Sequence, residues 1–179
     1  MRLRRVRIGP VVLVSCAFCC AVLLSLQSSK ADAHKLFGNM TYLADSSFIE
    51  EATFVNGYCE VQEGLLSYSA FYTGHYVFGD FNRDGLKDAA VIISEGEGAS
   101  RSSRSLAFLI NDGKELVHRV SHYLGDRARV NSVKQRGGQV MIDMFVRQEG
   151  DCNAWPTKRV KRAYDFLRPH PAVVPRDWS

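Results

Sequence analysis

The chain has 179 residues, with 23 Lys and Arg against 19 Asp and Glu, and a formal charge of +4. Five of the basic residues and one of the acidic ones lie in the first 33, so residues 34–179 hold 18 of each sign and are formally neutral. That balance excludes a basic nucleic-acid-binding surface, and the remaining 146 residues suffice for one domain with its own core.

The N-terminus has the pattern of an export signal. Arg2, Arg4, Arg5 and Arg7 precede an apolar run over residues 11–26 that only Ser15 and Ser25 interrupt. Ala31-Asp32-Ala33 then supplies an A-x-A cleavage pattern, so residues 1–33 are expected to be a signal peptide cut after Ala33. The run of 16 residues is short for a membrane span, which takes about 20. The competing reading is a lipobox, Leu13-Val14-Ser15-Cys16, with a lipid anchor at Cys16. Against it, the apolar run continues for ten residues past Cys16. Either way the chain is expected to be a bacterial periplasmic or secreted protein, meeting the membrane only through this segment.

Three cysteines, Cys16, Cys19 and Cys20, belong to the leader, which leaves Cys59 and Cys152. In an oxidising compartment that pair is a disulfide candidate, and two unpaired thiols are the alternative. Closing so long a loop would stabilise by about 4–5 kcal/mol in the entropic description.

Along residues 34–167 the pattern is β. Residues 34–47 form a lead-in of modest apolar content, and a helical turn is expected only near 46–51. Asn56-Gly57, flanked by β-formers over 52–61, predicts a hairpin. Residues 65–78 read as a strand leading into a polar loop, and 89–93 as a short apolar strand buried on both faces. The glycine- and serine-rich stretch 94–105 reads as a surface loop. Strands follow at 105–110 and 116–124, separated by a turn at 111–113. In the second, Leu116, His118, Val120 and His122 share one face. Gly125-Asp126 ends it. Residues 129–134 and 139–146 flank a hairpin turn at Arg136-Gly137-Gly138, with Val140, Ile142, Met144 and Val146 facing the core. A loop with Cys152 and Trp155 precedes a last strand over 158–166, and residues 168–179 form a proline-rich tail. The expected fold is mainly β, or α+β with little helix: one small antiparallel sheet or sandwich, without repeats or linkers.

The chemistry concentrates in Asp80-Phe81-Asn82-Arg83-Asp84-Gly85-Leu86-Lys87-Asp88. Oxygen-bearing side chains stand at positions 1, 3, 5 and 9, and glycine at position 6 permits a sharp turn, which is the pattern of a hard-cation loop. Position 12 is Val91, where an EF-hand places a bidentate glutamate, so this is not an EF-hand. An Asx-rich turn without metal is the alternative.

Residues 77–93, with Phe78-Gly79 ahead of the loop and an apolar strand behind it, resemble the calcium loop of FG-GAP and integrin-type repeats. The resemblance implies Ca²⁺ held by the side chains of Asp80, Asn82, Asp84 and Asp88 and the carbonyl of Leu86, between two antiparallel strands. It covers about a tenth of the chain, and a single copy cannot make a propeller, which needs four or more blades. A wider resemblance is to small exported bacterial proteins of unassigned function. Those carry the same loop, a glycine/serine stretch, L-G-D-R-x-x-V (here residues 124–130) and a late Pro-Thr (Pro156-Thr157). Arg83 departs from the usual glycine. The resemblance implies export, a β fold and a structural metal, and brings no activity.

Other features have ordinary readings. His34, His75, His118, His122 and His170 make no zinc-binding motif. Asp126-Arg127 reads first as a capped turn, the serine-rich stretch as a connector that could form a ligand-contacting lip, and Lys158-Arg159-Val160-Lys161-Arg162 as a solvated face. Asn39-Met40-Thr41 is a glycosylation sequon, meaningful only in a eukaryotic secretory pathway. The leading expectation is a non-enzymatic, calcium-stabilised binding domain engaging a protein or an envelope component. A hydrolase with an Asp/His site converging in three dimensions is one alternative. An inhibitor or immunity-type protein, with a rigid loop pinned by Cys59 and Cys152, is another.

Overall fold

The computed structural model describes residues 30–98, 102–152, 155–168 and 172–173. The apolar leader with Cys16, and most of the C-terminal tail with His170, lie outside these residues.

Period-two alternation over the middle of the chain builds a five-stranded antiparallel meander in the order β3 (Tyr58–Glu63), β4 (Leu66–Gly79), β5 (Asp88–Glu97), β6 (Ser103–Asn111) and β7 (Leu116–Asp126). A second antiparallel sheet holds β8 (Arg129–Arg136), β9 (Gln139–Val146), β10 (Lys158–Tyr164) and β11 (Ala172–Val173), in the order β11-β10-β9-β8. A short helix α1 over residues 30–37 and a hairpin of β1 (Thr41–Leu43) with β2 (Glu51–Thr53) complete the fold. It is mainly β, as expected.

Alternate residues of the meander feed two cores. Tyr68, Ala70, Tyr72, Ala89, Val91, Ile93, Ala107 and Leu109 face α1 and the β1–β2 hairpin, which contribute Ala33, Phe37, Tyr42, Ala52 and Phe54. Ala90, Ile92, Leu106, Phe108, Ile110 and Leu124 face the second sheet and meet Val140, Ile142, Met144, Val146 and Tyr164. The meander is therefore the middle of three layers, and β5 is buried from Asp88 to Glu95. This is why residues 89–93 read as an unbroken apolar run.

Several elements depart from the sequence expectation. Asn56-Gly57 does form a tight turn, with φ of 52° and 86°, but it closes only the single bridge Val55↔Tyr58. β2 pairs back with β1 and β3 pairs onward with β4, so the turn changes layer where a hairpin was expected. Residues 94–97 and 103–105 of the surface loop expected over 94–105 belong to β5 and β6, with Ser94, Glu95 and Ser105 buried in the sheet, and residues 99–101 lie outside the described residues. No helix forms near 46–51; the helix is α1, which spans the Ala31-Asp32-Ala33 pattern and buries Ala33 and Phe37.

Phe108 sits at the centre of the second core, against Phe81 at 5.2 Å and Phe166 at 5.9 Å between ring centroids. Phe108→Ala is expected to cost about 3–5 kcal/mol in urea unfolding. Leu65→Ser, at a fully exposed turn residue, is expected to stay within about 0.5 kcal/mol.

Candidate metal loop and flanking clefts

Residues 80–87 connect β4 to β5, and aromatic packing fixes where the connection starts. Phe81 is buried in the second core, and a Cβ on Gly79 would approach its ring to 2.9 Å, so the close packing of Phe81 favours glycine ahead of the loop. Lys87 covers Phe78, with Nζ 4.3 Å from the ring centroid.

Inside the loop, Asx turns orient the oxygens. The Asp84 N–H donates to Asp80 Oδ1 (3.2 Å) and Asn82 Oδ1 (3.1 Å), and the Gly85 N–H donates to Asp80 Oδ2 (3.1 Å). The Leu86 N–H donates to Asp84 Oδ1 at 2.7 Å, while Asn82 Nδ2 donates to Asp84 Oδ2 at 2.6 Å. Asp80, Asn82 and Asp84 thus gather around one stretch of backbone. Arg83 holds φ 66°, a left-handed conformation that favours glycine, and its side chain is exposed.

Asp88 has a different place. It is fully buried, with Oδ2 accepting from the N–H of Phe81 (2.8 Å) and Asn82 (3.4 Å) and Oδ1 from the N–H of Asn111 (2.9 Å). Both oxygens are engaged by the protein. Among the described residues no three His, Cys, Asp or Glu side chains form a metal-binding group. All three aspartates of the expected set accept hydrogen bonds with both oxygens, Asp80 and Asp84 from within the loop and Asp88 from its start and from β6. Asp88 organises the loop from beneath.

Among the described residues the histidines do not converge. A bulge in β7, where Leu109 pairs with His118 but Phe108 pairs with Val120, inserts Arg119 and reverses the face. His118 turns to the first core, where its Nδ1 accepts from the Leu43 N–H at 2.8 Å and its ring meets Tyr42. His122 turns to the second, between Phe108 and Tyr164. The shared face expected for them is thus corrected by one extra residue. His34 lies on α1 against Tyr72.

The Cys59–Cys152 bridge is likewise absent; both thiols are free. Cys59 pairs with Ala70 and is buried in the first core, whereas Cys152 is exposed in the segment before β10. Asp126 pairs with Arg147 at 3.2 Å, and the Arg127 N–H closes the turn on the Ser102 carbonyl at 2.7 Å, in line with a capped turn. In the basic strand, Arg159 forks onto buried Asp143 at 2.9 and 2.6 Å. That pairing holds the Asp143 carboxyl below its ordinary range.

Sequence reasoning missed a cleft of about 520 Å³ in which Phe71, His75, Arg104, Arg127, Arg129 and Trp155 meet. A signal existed. Arg104 is in step with Leu106, Phe108 and Ile110, so the alternation puts a cation on the core face. A second cleft, about 700 Å³, is edged by Asp45, Glu97 and Asp126, with Glu97 accepting from Ser46 Oγ and the Ser47 N–H.

No protein-family model, characterised protein or solved structure is significantly similar to this chain.

Two measurements check this geometry. Asp88→Ala leaves three backbone donors without their acceptor and is expected to cost about 3–5 kcal/mol in metal-free urea unfolding, against under about 1.5 kcal/mol for Asp84→Ala. Burial pushes the His118 imidazole down to about 4 from 6.5, opposed by a hydrogen bond to the Val120 backbone. Between those pH values the unfolded chain binds the extra proton. Stability is therefore full above pH 6.5, falls as pH drops towards 4, and its loss totals about 3 kcal/mol. His118→Asn, which keeps an acceptor near the Leu43 N–H, is expected to flatten urea midpoints measured from pH 7 to 4.

Proposed function

We propose that this chain is an exported, calcium-stabilised β domain that acts by binding a protein or an envelope component. The observation that carries the metal reading is the loop of residues 80–88. Asp80, Asn82 and Asp84 gather their oxygens around the Asp84–Leu86 amides, and Asp88 accepts from the Phe81 and Asn111 amides at the loop's base. Among the described residues neither Asp80 nor Asp84 takes part in a salt bridge, so a hard divalent cation would supply their missing countercharge. Bound there, Ca²⁺ supplies structural cross-linking of the β4–β5 connection.

Export rests on the arginine-led apolar leader and on Ala31-Asp32-Ala33. A cut after Ala33 shortens α1 but leaves His34 and Phe37, whose rings pack on Tyr72. The hydrolase alternative called for Asp and His side chains to converge, and His118 and His122 face opposite cores. The inhibitor alternative leaned on a loop pinned by Cys59 and Cys152, whose thiols are free.

A thermal melt tests the metal reading. The chain is unfolded in EDTA, then in millimolar Ca²⁺ or Mg²⁺. Ca²⁺ at tenfold over its dissociation constant is expected to add about 1.4 kcal/mol, a rise of a few degrees. Mg²⁺ is expected to do less, and Asp84→Ala to remove the effect. No Ca²⁺ shift, or an equal one in Asp84→Ala, overturns the assignment.

A further inference from the structure

The cleft beside Arg104 has the chemistry of an anion site. Phe71, Ser94 and Arg104 pair across β4, β5 and β6, on the face that the second sheet covers elsewhere. At this end the cover is replaced by the β7–β8 turn and by Trp155 and Pro156. Arg104 is half-buried over the Phe71 ring, its Cζ 5.1 Å from the centroid, and its Nη1 is buried without a hydrogen-bond partner. Arg129 stacks between Phe145 at 4.7 Å and Trp155 at 5.8 Å. Arg127 and His75 share the lining, and among the described lining residues none is acidic.

Among the described residues, neither Arg104 nor Arg129 takes part in a salt bridge, so two guanidinium charges at this cleft have no carboxylate beside them. An arginine cannot relieve this by losing its proton. A buried donor with no partner costs stability unless something else accepts from it. Burial, aided by the Arg104 charge and opposed by a hydrogen bond to the Thr73 backbone, lowers the His75 imidazole. His75 is therefore neutral near pH 7 and adds a hydrogen-bonding group without further charge. The apolar part of the lining includes Phe71, Ile92, Trp155 and Pro156, and the volume suits a small molecule.

We propose that this cleft binds a small organic oxyanion, a carboxylate or phosphate ester joined to a flat apolar group. Arg104 takes the anionic end, as guanidinium forks do, and Phe71 and Trp155 flank the apolar end. This deepens the binding reading by naming a ligand class, and it needs no metal: the cleft lies towards the far end of β5 from the loop.

The test is calorimetric titration of the full chain with phenyl phosphate and with benzoate, each against benzyl alcohol as the neutral counterpart. At least one anion is expected to bind with a dissociation constant of about 1 mM or tighter, and benzyl alcohol at least about tenfold more weakly. Arg104→Gln is expected to weaken the anion at least about tenfold, and Arg147→Gln, outside the cleft, to leave it unchanged. If Arg104→Gln does not fold, Arg129→Gln carries the same expectation. Binding of neither anion at about 10 mM, equal binding of the alcohol, or unchanged affinity in the cleft variant overturns the proposal. Titrations run in EDTA and again in Ca²⁺ separate the two readings. Anion binding without a Ca²⁺ melt shift overturns only the metal, and the reverse overturns only the cleft.

Discussion

The arrangement depends on one buried carboxylate. Asp88 opens β5, the strand covered on both faces, and has no exposed surface. A negative charge there is tolerable because three backbone N–H groups point at it, two from the start of the loop and one from the end of β6. Those bonds fix where β4 ends, how the loop begins and how β6 lies beside both. Asp80 and Asp84 sit in the loop that Asp88 anchors, and among the described residues neither takes part in a salt bridge.

The three-layer build also places the second feature. A strand rises about 3.3 Å per residue, so Ser94, beside Arg104, lies roughly 20 Å along β5 from Asp88. The same strand thus carries an oxygen-rich loop at its start and a cation-rich cleft towards its end. Between them both faces are apolar and packed, which makes β5 a rigid spacer. In the proposed reading the loop would act on stability and the cleft would take a ligand.

Much of this was legible because strand period is rigid. The β8–β9 hairpin around Gly137-Gly138, the core face of β9 and the two-sided burial of β5 all follow from alternation. The failures share a cause. A β-bulge adds one residue without a compositional mark, so the Arg119 insertion sent His118 and His122 to opposite cores. Asn56-Gly57 announces a turn, but not which strands it joins. The helix at 30–37 was hidden beneath an export pattern occupying the same residues. The loop's outline was readable from residue type and spacing. The inward role of Asp88 was not, since it depends on Asn111, 23 residues away in the chain. For Arg104 the period was readable, but its partners come from four separate segments.

The most direct test of the central claim is a Ca²⁺ titration of the ¹⁵N-labelled chain followed by amide NMR. A metal held by Asp80, Asn82 and Asp84 must displace the hydrogen bonds those side chains accept, so the amides of Asp84, Gly85 and Leu86 are expected to shift most. The amides of Phe81 and Asn111, held by Asp88, are expected to move little. Shifts scattered over the acidic surface, or none in the loop at millimolar Ca²⁺, would contradict the account.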